Sequence, residues 1–175
     1  MYTYLFFGLL SIVLLFVLAF GQRMYHGYQK KRNTVNTYGI QNIQTGKNLR
    51  VRNASIGDEV KIILYTHHIW ECMTWQMIRL DGDTYLLKNL YTKKTFQPSS
   101  SPQPGVPLWQ QPLGGSSLQY WEFLKQPDET YLIRLSGTEL YITVSSDKNN
   151  SDIVLRQAQG SDTQKWKLIG QHPVF

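Results

Sequence analysis

A hydrophobic phrase that begins with tryptophan occurs three times along the chain. The phrases start at Trp75, Trp121 and Trp166, so the steps between them are 46 residues (75 to 121) and 45 residues (121 to 166). A fixed period in this range indicates one repeated supersecondary unit, because a single copy cannot bury its own apolar face. The pattern therefore predicts three equivalent units that close around a shared core.

Each phrase is preceded by two further segments rich in β-forming residues. The first reads as strand, polar turn and strand, which is the signature of a hairpin. Its three copies align without a gap at residues 40–51, 87–98 and 133–144. The second segment begins at Val60, Val106 and Ile153. With about four short strands per copy and no helical period between residues 38 and 170, the sequence predicts an all-β domain.

The tryptophans belong to a short motif. Gln119-Tyr-Trp121 and Gln164-Lys-Trp166 are Gln-x-Trp motifs, and the first copy has Met73-Thr-Trp75 in the same place. Three such motifs at this spacing resemble those of the ricin B-type lectin family, over residues 38–170. The resemblance implies a β-trefoil fold whose core motif consists of Trp75, Gln119, Trp121, Gln164 and Trp166. It also implies that the tryptophans are packing residues and do not form a ligand platform.

The same resemblance implies shallow carbohydrate pockets, one per repeat, each with an Asp, an aromatic ring and an Asn-Gln pair. In this sequence the Asp position falls on Arg50, Gln97 and Thr143, so no copy keeps the carboxylate. The aromatic position falls near Tyr65 in the first copy, on Trp109 in the second, and on Arg156 or Val154 in the third. The Asn position falls on Cys72, Leu118 and Thr163.

Only the second copy keeps an aromatic ring together with amides. Gln97, Trp109 and Gln119 are therefore the candidate carbohydrate-binding residues. Trp109 has a second interpretation, which is partial burial beneath the Pro- and Ser-rich loop at residues 98–107 or a contact with another protein. The degenerate pockets favour this second interpretation over sugar stacking.

The N-terminus is a separate segment. Tyr2–Phe20 contains no charged residue, and its length just spans a hydrocarbon core. Residues 1–21 are predicted to be a transmembrane anchor or a signal peptide cleaved near Gly21-Gln22. The anchor is favoured because the run has no positive charge before it, while four membrane-interface cations follow in a basic stalk at residues 22–37. These cations are Arg23, Lys30, Lys31 and Arg32. The positive-inside rule then places the β-trefoil in the cytoplasm and the N-terminus outside.

Charge and composition exclude several other functions. Beyond residue 32 the chain has fourteen Lys or Arg and twelve Asp or Glu, a net charge of only +2, which does not indicate a nucleic-acid partner. The single cysteine, Cys72, excludes an internal disulfide. It ends the run His67-His-Ile-Trp-Glu-Cys72, whose spacing matches no closed zinc pattern, so no metal or cofactor is predicted. No catalytic motif is present, and the protein is predicted not to be an enzyme.

Two functions remain from these observations. The first is a membrane-anchored, non-catalytic scaffold that binds other protein subunits, as an accessory part of a membrane-bound or virion assembly. The alternative is a carbohydrate-binding lectin, secreted or surface-displayed, that uses the second-repeat pocket. A weaker third hypothesis is binding of anionic lipid head groups through Arg23 and the cations at residues 30–32.

Overall fold

The computed structural model describes residues 15–24 and 35–173 of the chain. Contacts divide the chain into a unit at residues 1–35 and a larger unit at residues 36–175. In the first unit, residues 15–24 form an exposed helix, α1. Among the described residues, no helix is both long and apolar enough to cross a membrane. The predicted transmembrane helix at residues 1–21 therefore finds no support, and its residues 1–14 lie outside the described ranges.

The membrane-interface cations are only partly covered by the structure. Arg23 lies in α1, whereas Lys30, Lys31 and Arg32 lie outside the described residues. Their contact with lipid head groups, the localisation and the basic stalk all stay predictions.

Twelve strands follow one another within residues 35–173. They are β1 Thr37–Asn42, β2 Asn48–Val51, β3 Ile62–Tyr65, β4 Thr74–Asp81, β5 Thr84–Asn89, β6 Thr95–Pro98, β7 Leu108–Gln111, β8 Tyr120–Lys125, β9 Tyr131–Leu135, β10 Tyr141–Val144, β11 Ile153–Arg156 and β12 Lys165–Gly170. Each repeat thus supplies four strands, as the sequence predicts.

Six of these strands form a closed antiparallel ring in the order β1, β4, β5, β8, β9 and β12, with β12 pairing back onto β1. The other six pair as the hairpins β2–β3, β6–β7 and β10–β11. Three equivalent bridges join each hairpin to the next: Lys61 with Trp109, Pro107 with Val154, and Asp152 with Ile63. A closed ring with three mutually bridged hairpins is a β-trefoil, and the β-trefoil part of the predicted fold class is confirmed.

The hairpins differ from those predicted. The sequence places a hairpin within residues 40–51 and within the equivalent segments, but β1 and β2 share a single register pair, Gln41 with Asn48. Strand β2 instead pairs with β3 over four positions, from Asn48–Tyr65 to Val51–Ile62. The polar turn is a corner at which the chain leaves the ring and enters a hairpin. Strand-turn-strand patterns alone do not distinguish these two geometries.

The core is centred on the three motif tryptophans, which are fully buried. The Phe96 ring lies 5.1 Å from the rings of both Trp75 and Trp121. Trp75 Nε1 donates to the carbonyl of Leu49 at 3.3 Å, and Trp166 Nε1 donates to the carbonyl of Ile142 at 3.1 Å. Trp121 Nε1 is buried without a partner among the described residues. The three repeats therefore share the packing, but only two share the hydrogen bond.

The turn before β9 predicts an acid-sensitive contribution to stability. A hydrogen bond from Thr130 Oγ1 and one from Lys165 Nζ lower the pKa of Asp128 from its ordinary 3.8 to about 2. A carboxylate with a depressed folded-state pKa stabilises the fold above its unfolded-state pKa. This stabilisation is lost as the pH falls from about 4 towards about 2.

We therefore expect the melting temperature of the native chain to decrease more steeply than that of Asp128→Asn between about pH 5 and about pH 2. Thermal melts at several pH values provide the measurement. Asp147→Asn is the matched control, because the Asp147 carboxylate forms no ion pair among the described residues. Parallel pH profiles for the native chain and Asp128→Asn would contradict the prediction.

Candidate functional site

An exposed aromatic cluster follows strand β3 in the first repeat. Tyr65 ends the strand, and a loop at residues 66–70 leads into the short 3-10 turn Glu71–Met73. In that loop the rings of His68 and Trp70 stack with centroids 4.0 Å apart and planes 9° apart. The Tyr65 ring lies 6.3 Å from each of them. Trp70 keeps 44% of its surface exposed, so much of this aromatic side chain is accessible to a ligand.

Arg50 lies beside this cluster. Its guanidinium carbon is 4.2 Å from the centroid of the Tyr65 ring and 5.4 Å from that of Trp70. Guanidinium groups bind well over aromatic faces, because the planar cation is attracted by the ring electrons and is weakly hydrated. Arg50, Tyr65, His68 and Trp70 are together called the first-repeat surface.

The loop that carries this surface is fixed by hydrogen bonds at several points. The side chain of Gln171 donates to the carbonyl of His68 at 2.8 Å, and Thr74 Oγ1 donates to the carbonyl of Trp70 at 2.9 Å. At the start of the loop, the N–H of Thr66 donates to Asn149 Oδ1 at 3.1 Å. Because the loop is held before any ligand arrives, less conformational entropy is lost on binding.

Gly39 leaves space for the Gln171 side chain, one of the groups that hold the loop. A Cβ at position 39 would lie 2.3 Å from Gln171 Oε1 and 2.5 Å from Asn48 Nδ2. Asn48 Oδ1 in turn is 3.1 Å from His67 Nδ1. Any side chain at position 39 would therefore displace the two amides that lie beneath the loop.

A surface cleft of about 360 Å³ adjoins Trp70. It is lined by Ala54, Ile69, Trp70, Glu71, Cys72, Tyr91 and Pro173. Most of these lining residues are apolar or aromatic, and two of them, Ile69 and Tyr91, are 62% and 46% exposed. It continues the first-repeat surface with space next to an exposed ring.

The amides predicted to bind sugar in the second repeat are used internally. Gln119 Nε2 donates to Gln97 Oε1 at 3.0 Å and to the carbonyl of Pro112 at 2.9 Å, while Gln119 Oε1 accepts from the N–H of Gly114 at 3.1 Å. Gln119 is buried, whereas Gln97 is half-buried. The structure thus brings Gln97 and Gln119 together, but it uses Gln119 to brace the following loop.

The third repeat contains the same brace. Gln164 Nε2 donates to Thr143 Oγ1 and to the carbonyl of Gln157, both at 2.9 Å. Gln164 Oε1 accepts from the N–H of Gln159 at 2.7 Å. The glutamines of the Gln-x-Trp motifs therefore fix loops in two repeats, and they end the 3-10 turns Ser117–Gln119 and Asp162–Gln164.

Trp109 occupies a different position from Tyr65. Strand registers pair Trp109 with Gln97, just as they pair Ile63 with Arg50 and Val154 with Thr143. The counterparts of Tyr65 are instead Gln111 and Arg156. Trp109 is half-buried, bridges to Lys61 of the neighbouring hairpin, and has a buried Nε1 without a partner among the described residues. The assignment of Trp109 to the position of Tyr65 is thus wrong by two residues, and sugar binding through Gln97, Trp109 and Gln119 stays a prediction.

In the sequence, the run from His67 to Cys72 is considered as a possible metal site, whereas the structure places two of its aromatic side chains in the candidate site. Within residues 15–24 and 35–173, no group of three His, Cys, Asp or Glu side chains converges as a metal site would require. Cys72 is a buried free thiol. The same run contributes His68 and Trp70 to the first-repeat surface. Trp70 lies outside every aligned motif position, so the repeat pattern alone did not reveal it.

Comparisons with solved structures identify the class of fold. The designed threefold-symmetric protein ThreeFoil matches with a TM-score of 0.74 and 23% identity, over 77% of this chain and 98% of that one. The Rhizoctonia solani agglutinin matches with a TM-score of 0.70 and 18% identity, over 78% and 95%. The Macrolepiota procera ricin B-like lectin, solved in complex with lactose, matches with a TM-score of 0.66 and 16% identity, over 76% and 94%.

The chain therefore has a β-trefoil fold, which it shares with the agglutinin and the ricin B-like lectin. No family model matches the sequence, and no curated protein matches it.

Proposed function

We propose that the protein is a non-catalytic carbohydrate-binding protein and that its ligand lies on the first-repeat surface. The observation that carries this proposal is the exposed, pre-positioned ring of Trp70, stacked on His68 and close to Tyr65. Rigid aromatic rings supply a large contact area at low entropic cost, and their polar neighbours fix the orientation of a ligand.

The comparisons support this reading over the scaffold reading. The Macrolepiota procera lectin is described in complex with lactose, and an earthworm R-type lectin fragment of the same fold is described in complex with GalNAc. The membrane-bound scaffold, its protein subunits and its lipid contact receive no support from the comparisons.

The test is a glycan array with the full chain, followed by titration calorimetry of the glycans that bind. Trp70→Ala is expected to weaken binding at least about tenfold, which corresponds to about 1.4 kcal/mol. Trp109→Ala is the matched control, because it removes the same side chain from the second repeat and is expected to leave the affinity unchanged. Circular dichroism of both variants checks that the fold is intact.

Two results would overturn the proposal. One is a native chain that binds no glycan on the array. The other is loss of binding in Trp109→Ala together with normal binding in Trp70→Ala, which would move the ligand to the second-repeat pocket.

A further inference from the structure

Three equivalent hairpin positions carry side chains of different chemistry. Strand registers align Arg50, Gln97 and Thr143. In the second and third repeats this side chain accepts an amide hydrogen bond from the glutamine of the same repeat. In the first repeat that glutamine is replaced by Met73, whose thioether has no N–H to donate. The first repeat therefore has no counterpart of this internal bond, and it places a cation where the other two repeats place neutral groups.

Arg50 has no polar partner among the described residues. It forms no ion pair there, and its Nε is buried without a hydrogen-bond acceptor. The neighbouring Arg52, by contrast, pairs with Asp152 at 3.6 Å. A half-buried guanidinium without an anion is costly, since desolvation is not offset by a charge-assisted hydrogen bond.

The Arg50 guanidinium carbon lies over the rings of Tyr65 and Trp70, and the terminal N–H groups have no hydrogen-bond partner among the described residues, so they are the part that can bind a ligand. The N–H donors of a guanidinium lie in its plane. In-plane donors of this kind match the paired oxygens of a carboxylate or a sulfate. Neutral hydroxyls would fill the same position with weaker bonds and would leave the positive charge uncompensated.

We infer that the ligand of the first-repeat surface is an acidic glycan, whose carboxylate or sulfate group binds Arg50 while a sugar ring lies against Trp70. This inference rests on the proposed function and adds the chemical class of its substrate. It assigns to Arg50 the role of the specificity-determining residue, and to Tyr65 the role of holding the guanidinium in place.

The experiment uses glycan pairs in which one member is acidic and the other is neutral. Lactose is compared with its sialylated and its sulfated derivatives, and a galacturonic acid oligomer is compared with its methyl ester, on an array that carries further neutral and acidic pairs. The full chain is expected to bind the acidic member of a pair at least about tenfold more tightly than the neutral member. The sialylated and sulfated arms distinguish a carboxylate ligand from a sulfate ligand.

Arg50→Gln places in the first repeat the residue that the second repeat already carries at this position. It is expected to weaken binding of the acidic member at least about tenfold more than binding of the neutral member, so that the preference disappears. Arg156→Gln is the control for net charge, because Arg156 is an exposed cation of the third repeat. It is expected to keep the preference. The preference of the native chain should also shrink between about 50 mM and about 500 mM salt, since charge interactions at a partly exposed site are screened.

The outcomes separate the two proposals. Glycan binding that depends on Trp70 but shows no acidic preference overturns the inference and leaves the proposed function standing. Equal preference in the native chain and in folded Arg50→Gln also overturns it. If Arg50→Gln does not fold, the acidic preference of the native chain and its salt dependence still decide the question. Absence of any glycan binding overturns both.

Discussion

Trp166→Ala is expected to lower the free energy of unfolding by about 3–5 kcal/mol, the usual cost of deleting a large aromatic side chain from a packed core. Trp166 is fully buried and pairs through its backbone with Asn42, at the point where the last strand of the ring closes onto the first. Urea denaturation followed by circular dichroism measures the change. A loss of this size is a large fraction of the stability of an ordinary domain.

The hydrogen bonds of the tryptophans allow a sharper comparison. Trp166→Phe removes the donor to the carbonyl of Ile142, whereas Trp121→Phe removes an Nε1 that has no partner among the described residues. Trp166→Phe should therefore cost about 1 kcal/mol more than Trp121→Phe in urea denaturation. Equal losses, or a larger loss for Trp121→Phe, would show that Nε1 bonding does not distinguish these repeats.

Asn42→Asp is expected to destabilise the fold by about 3 kcal/mol at neutral pH. Asn42 is fully buried, and its Nδ2 donates to the carbonyls of Asp162, Thr163 and Lys165 at 2.9, 3.2 and 3.1 Å. Its Oδ1 accepts from the N–H of Thr45 at 3.2 Å. A carboxylate at this position keeps the acceptor but directs a negative charge at three carbonyl oxygens.

The destabilisation caused by Asn42→Asp should depend on pH. Burial and the facing carbonyls raise the pKa of the introduced carboxyl above its unfolded value of about 3.9. The penalty is therefore full above the folded-state pKa and disappears as the pH falls below about 3.9, where the group is protonated in both states. Urea denaturation at about pH 7 and about pH 3, each referred to the native chain at the same pH, measures the difference.

Asn149→Asp is the control for this prediction. Asn149 is exposed, and its Oδ1 accepts from the N–H of Thr66, a contact that the substitution retains. The change in unfolding free energy should stay below about 0.5 kcal/mol, as is usual at a surface position. A penalty for Asn42→Asp that is as small, or that is independent of pH, would contradict the role assigned to Asn42.

The sequence alone identifies only part of the candidate site. The alignment identifies Arg50 as a departure from the family pattern and Tyr65 as an aromatic position, and both belong to the first-repeat surface. It assigns the aromatic position of the second repeat to Trp109, whereas the strand registers place the counterpart of Tyr65 two residues later, at Gln111. Trp70 escapes the alignment, because a loop residue without a repeat counterpart gives no periodic signal.

The sequence by itself determines the repeat, the number of strands and the tryptophan core of this protein. Burial of an apolar face imposes a period on the chain, and that period can be counted without coordinates. Only the tertiary structure decides which strands pair and what the polar side chains do. Gln119 bonds to Gln97 across 22 positions of the chain, and the Arg50 guanidinium lies on the ring of Tyr65 from the neighbouring strand. Such contacts depend on register and on loop paths, which leave no periodic trace in the order of the residues.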